Sequence, residues 1–230
     1  YNLQTATGTT TNVLTDSSGG GVLTTIYTST GQRVQPGNIL NLKGGTLNAG
    51  TGTSGEFNNG GTLTVAGGIL NVPQELLNGF DNAGAVVNLN SGVITAGSIS
   101  FGNAACTYHF NGGTVQCSSF KDRGTGAANL FFNGVTVQPL VQLGSNPLMY
   151  ALAAGQTYWI STNGVTFNLT KNNGTMMGAL THDTTLGTTA DVGVTKIGTG
   201  TLTLSATNTD TGTTTVSGGT VTEAATGYIA

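Results

Sequence analysis

"HFNGGTVQCSSF" (109–120) lies between two stretches built on the same plan, "NLNSGVITAGSI" (88–99) and "FFNGVTVQPLVQ" (131–142). The offsets between them are 21 and 22 residues. One column holds Leu89, Phe110 and Phe132, and a second holds Ile94, Val115 and Val137. Ile99 matches Phe120 in a further column. Asn90, Asn111 and Asn133 share a column too, followed by Ser91, Gly112 and Gly134. Upstream, "LKGGTLNAG" (42–50) and "FNNGGTLTVAGGILNV" (57–72) repeat the strand–Gly–strand grammar at less regular spacing.

A period near 21 residues holding two or three short strands points to a solenoid rather than a sandwich. Each turn sends a few Leu, Ile, Val or Phe inward, and one turn alone cannot bury them. Turns stacked about 4.8 Å apart place like residues over like and build a continuous core. Asn90, Asn111 and Asn133, with Gly112 and Gly134, are the corner residues, where positive φ is needed and Gly or Asn adopts it at least cost. The expected fold is all-β: a right-handed parallel β-helix with coils of about 21 residues and little or no α-helix. The one helical signal is "PQELLNG" (73–79), where Pro, an early acidic residue and a closing Gly predict about one turn.

Composition agrees. Of 230 residues, 38 are Gly, and Thr is more frequent still. Only 7% are charged, and the net charge is −3. The six Lys and Arg are scattered, so no basic stripe exists to neutralise phosphates, and nucleic-acid binding is not expected. No apolar run reaches the roughly 20 residues of a membrane helix, so no membrane insertion is expected either. No signal peptide is visible at Tyr1, and the chain reads as a mature product or an excised segment. One solenoid domain is expected over 1–230: an N-terminal strand, cap or assembly segment (1–40), irregular coils (41–193), a distinctive repeat (194–221) and a short C-terminal end (222–230).

That repeat, "VTKIGTGTLTLSATNTDTGTTTVSGGTV" (194–221), resembles the passenger-associated transport repeat of bacterial autotransporter passengers. The matching positions include Lys196, Gly198, Gly200, Leu202, Leu204, Asn208, Gly212, Val216 and Gly219. Ala206 stands where the family usually has Gly, and Asp210 where it usually has an aromatic. The resemblance implies a β-helix exported to the cell surface, an extracellular location, and a role as stalk, scaffold or adhesive surface rather than an activity.

Few residues could carry chemistry. Cys106 and Cys117 fall in small-residue columns, which leaves two readings: small core side chains or a disulfide. Eleven residues is half a period, a spacing that weighs against a bond where it sets the two on opposite walls, whereas a shared corner would remove that objection. A zinc site would need four ligands, and no second Cys pair or nearby His pair exists. "KDR" (121–123) is the only charge cluster and reads as a solvated turn. His182 and Asp183 adjoin, so on a strand they would point to opposite faces. No catalytic residue, cofactor or metal ligand is expected, and no enzymatic role.

What remains is assembly. A solenoid has two open ends of unpaired backbone groups. Head-to-tail contact between identical ends gives filaments. The expected function is a structural subunit joining copies of itself through Tyr1, Leu3 and Val13 at one end and Val221, Tyr228 and Ile229 at the other. The alternative is an adhesin or stalk segment of a longer passenger, with a surface glycan or cell-envelope component as partner. A remoter alternative is ice binding, prompted by Thr-x-Thr triplets at 201–203, 209–211 and 213–215.

Overall fold

A computed structural model describes residues 10–13, 22–24, 32–49, 55–80, 82–140, 146–170 and 172–224. They form a parallel β-solenoid of about eight turns with a spacing near 22 residues. Every strand pairing among them is parallel.

Three walls are built. The first runs through Thr10–Val13, Ile39–Leu42, the starts of the long strands Thr62–Asn78 and Ala85–Phe101, then Cys106–Phe110, Ala128–Phe132, Gln156–Ile160 and Leu180–His182. The second includes Val22–Thr24, Thr46–Asn48, Val135–Pro139, Val165–Asn168, Val194–Ile197 and Thr215–Val216. The third includes Gln32–Val34, Glu56–Asn59, the end of Thr114–Asp122, Gly174–Met176, Thr201–Leu204 and Thr220–Glu223. Thr10–Val13, Val22–Thr24 and Gln32–Val34 therefore supply one strand to each wall.

The sequence columns are ladder registers. Leu89, Phe110 and Phe132 are direct partners, as are Ile94, Val115 and Val137, and Ile99 and Phe120. All eight are fully buried. Alternation is strict where it matters: Cys106–Phe110, Ala128–Phe132 and Gln156–Ile160 each bury first, third and fifth residues. Mid-rod, the core is aromatic. Phe101, Tyr108, Phe110, Phe120, Phe132, Tyr158 and Phe167 pack through edge-on and tilted contacts with centroids 5.5–6.4 Å apart. Such pairs stabilise beyond their buried area.

Two asparagine ladders mark corners. Asn111 Nδ2 donates to Asn90 Oδ1 at 3.1 Å, and Asn133 Nδ2 to Asn111 Oδ1 at 3.4 Å. Asn163 continues the row onto Asn133 Oδ1 at 2.9 Å. At another corner, the buried Asn59 donates to Asn78 Oδ1 at 2.8 Å and to the Val86 carbonyl, while Asn78 donates to Thr107 O. Gly134 takes φ +90° beside the exposed ladder, as its corner position requires.

One expectation fails. "PQELLN" is not a helical turn: it ends the long strand Thr62–Asn78. Glu75, Leu76 and Leu77 each have a ladder partner on both sides, and this tertiary pairing overrides the local helix signals. Pro73 fits because the register shifts between Val72 and Glu75. The only helical element among the described residues is a 3-10 turn, Thr184–Leu186, capped by the Asp183 carboxylate.

Candidate functional site

On the outer side of the third wall, charges from three of four successive turns meet. Glu56 and Glu75 are ladder partners, followed by Ser98. Glu75 is only 6% exposed. It accepts from Ser100 Oγ at 2.5 Å, pairs with Lys121 Nζ at 3.3 Å, and pairs with Arg123 Nη1. The same Arg123 nitrogen lies 2.7 Å from Glu56 Oε1. The contact with Glu56, helped by Glu75, raises the Arg123 pKa further. "KDR" is thus not a solvated turn: Lys121 and Asp122 end a strand, and two of the three side chains clamp back across earlier turns. A shallow cavity of about 410 Å³ opens over this cluster. Every cation in it already has a carboxylate, so its chemistry is that of a clamp.

At the C-terminal end, the core changes character. In the first wall, the inward row Leu89, Phe110, Phe132, Ile160 reaches His182. Thr181 bridges Thr209, so Asp210 follows His182. In the second wall, Val137 and Phe167 are followed by Lys196. In the third, Leu204 is followed by Glu223. Ionisable side chains thus enter all three inward rows at this end, and beyond Lys196 the second row closes on Val216.

Each is handled differently. Lys196 has no exposed surface, and its Nζ donates to the carbonyls of Ile197 (3.0 Å), Gly198 (2.7 Å) and Gly218 (2.9 Å). Burial pulls its pKa down. Gly219, at φ +69°, keeps this niche open, since a Cβ there would stand 2.8 Å from Nζ. Asp191 accepts from Thr211 N, Thr211 Oγ1 and Gly212 N, each at 3.0 Å, and meets His182 Nδ1 at 2.7 Å. Burial opposes the Asp191 charge, but the donors from Thr211, His182 and Gly212 outweigh it and hold its carboxyl below the usual range. The contact with Asp191 raises the His182 pKa. Asp210 is 4% exposed, and its Oδ2 has no partner. Burial, and then the Asp191 charge, push its pKa up to about 6. Apart from Asp210 Oδ2, these groups are satisfied by one another or by the backbone, and no set of three His, Cys, Asp or Glu able to hold a metal is found among the described residues.

The resemblance positions have clear places. Lys196, Leu202 and Leu204 point inward, Asn208 Oδ1 accepts from Leu180 N at 2.9 Å, and Val216 is 48% exposed on the last turn. Gly200 and Gly212 sit where backbone of the preceding turn leaves no room for a Cβ. A lysine inside a core column is a feature that sequence periodicity did not anticipate; its position on the same face of the strand as Val194 was the available signal.

Cys106 and Cys117 are both buried and free. The disulfide reading is corrected for the reason the spacing suggested: Cys106 stands in the first wall between Ala85 and Ala128, and Cys117 in the second beside Ala96. Burial raises the Cys106 thiol to about 11 and the Cys117 thiol further.

Two outward rows went unread in the sequence. His109, Phe131 and Trp159 are successive rungs of the first wall with stacked rings. Thr114, Thr136, Thr166, Thr195 and Thr215 form one register in the second. The companion row there carries Thr95, Gln116 and Gln138, so among the described residues stacked Thr-x-Thr pairs occur only at Thr201/Thr203 over Thr220/Thr222.

Of the residues expected at the joining ends, Tyr1, Leu3, Tyr228 and Ile229 lie outside the described residues. Val13 is in the strand Thr10–Val13, and Val221 is half-buried against the core. No family model, curated protein or solved structure matches the chain.

Proposed function

We propose that the protein is a non-enzymatic, extracellular structural rod whose copies join end to end into a filament. The observation that carries this reading is the state of the terminal strands. Thr215–Val216 and Thr220–Glu223 each have a ladder partner on one side only among the described residues, as do Thr10–Val13, Val22–Thr24 and Gln32–Val34. Ser217 N donates back to Lys196 O. By strand alternation the Val216 N–H and C=O face the open side, where a further strand could pair. Little charge stands in the way.

Negative-stain electron microscopy at neutral pH tests it. The expected result is filaments with a repeat of about 40 Å, the height of about eight turns. Val216→Pro removes one outward donor from an exposed position and shortens them. A strictly monomeric protein at high concentration overturns the reading.

One observation favours a second reading, the stalk or adhesin segment of a passenger-like surface protein. Asp210, Lys196 and Glu223 bring charge into the inward rows over the last turns, a polar finish of the kind expected of turns that face water. Short isolated rods in the same micrographs would support it.

A further inference from the structure

The ring stack on the first wall stops abruptly. His109 and Phe131 stack at 5.1 Å with 13° between planes, and Phe131 and Trp159 at 6.2 Å with 15°. The next rung is Thr181, which has no ring. Asn129 Oδ1 accepts from Trp159 Nε1 at 2.8 Å and locks the indole in the stack. Beside that rung opens a cavity of about 350 Å³, lined by Gln156, Thr157, Tyr158, Met177, Ala179 and Thr181 among others. No Asp, Glu, Lys or Arg lines it. Gln156 is 8% exposed; its Nε2 donates to the Gly124 and Gly126 carbonyls at 2.9 and 3.1 Å, and its buried Oε1 has no donor.

We propose that the end of the ring stack and this cavity form a subsite for one unit of a neutral saccharide. The ring would occupy the rung over Thr181, with a C–H face against Trp159. An uncharged lining suits an uncharged ligand, since a charged one would be desolvated with no counter-charge. A purely apolar ligand would leave the Thr157 and Thr181 hydroxyls unpaired, whereas a saccharide brings hydroxyl donors and acceptors as well as an apolar face. The proposal holds whether or not copies join end to end.

Trp159 is the chain's only tryptophan, so its emission reports on this place alone. The full chain is titrated with cellotetraose, maltotetraose and chitotetraose by calorimetry and by fluorescence. At least one is expected to bind saturably and shift the emission. Thr181→Phe extends the stack into the subsite; it is expected to weaken binding about tenfold or more, with circular dichroism and melting unchanged. Trp159→Ala gives a second loss. The proposal is overturned if none of the three binds at millimolar concentration, if Thr181→Phe binds as well as the parent, or if a phenylalanine-containing tripeptide saturates the Trp159 signal while the sugars do not.

Discussion

The Lys196 ammonium lies 2.9 Å from the carbonyl oxygen of Gly218, one turn further along the rod, and holds the last two turns together from inside. Two more carbonyls share the same nitrogen. Lys196→Met keeps most of the buried stem but strips three acceptors of their donor. It is expected to lower stability by about 2–3 kcal/mol in urea unfolding. An unchanged midpoint would mean that water replaces the ammonium without loss.

Asp210 predicts a pH dependence. Its folded pKa, about 6, is raised above the unfolded value, so the proton is held more tightly in the folded state. The favourable contribution is full below about pH 4 and is lost as pH rises through about 6. Asp210→Asn should therefore stabilise the protein by up to about 3 kcal/mol at pH 8 and leave it little changed at pH 3.5, because one pKa unit corresponds to about 1.4 kcal/mol. Asp191 acts in the opposite sense: its lowered pKa supports the fold at neutral pH and is lost as pH falls through the acid range. Comparing the variant with the parent at each pH separates the two.

The outer clamp gives a graded series. Glu75→Gln leaves Lys121 and Arg123 short of charge, but both are about two-fifths exposed, so the expected cost is about 1–2 kcal/mol rather than that of a fully buried pair. Glu56→Gln should cost under about 1 kcal/mol. Equal costs in chemical denaturation would contradict the burial difference.

Thiol chemistry checks the wall assignment. Iodoacetamide should add nothing to the folded protein and two groups in urea, in the same mass with or without reductant. A reductant-dependent mass would place the two cysteines together.

The asparagine ladders should differ as their burial does. Asn78→Ala removes an acceptor for Asn59 and a donor to Thr107 O in a closed corner, and should cost about 1–3 kcal/mol. Asn111→Ala, on the exposed ladder, should cost under about 1 kcal/mol in the same thermal melt.

Legibility followed the regularity of the spacing. Leu89, Phe110 and Phe132 could be aligned by eye because their offsets are nearly constant. Asn163 escaped because it lies 30 residues beyond Asn133, after a longer excursion between turns. Arg123 and Glu75 are 48 residues apart, and no local pattern announces a clamp over two turns. "PQELLN" was misread because its capping signals are local, whereas the ladder on both sides of it is not. The charged members of the inward rows were unreadable until the register was known: Lys196, Asp210 and Glu223 look like ordinary scattered charges in the sequence.

The concentration of rings between Phe101 and Phe167 has a kinetic consequence. In a stacked array, stability is close to a sum over turns and their neighbours. The aromatic turns then form first and persist longest, with closure spreading outward in both directions. Hydrogen exchange should be slowest at Tyr108, Phe110, Leu130 and Phe132 and fastest at Thr215–Val216 and Thr220–Glu223. Removing an outer turn would shorten the molecule, whereas interrupting a central one would split it into two pieces, only one of which could keep a full ring cluster.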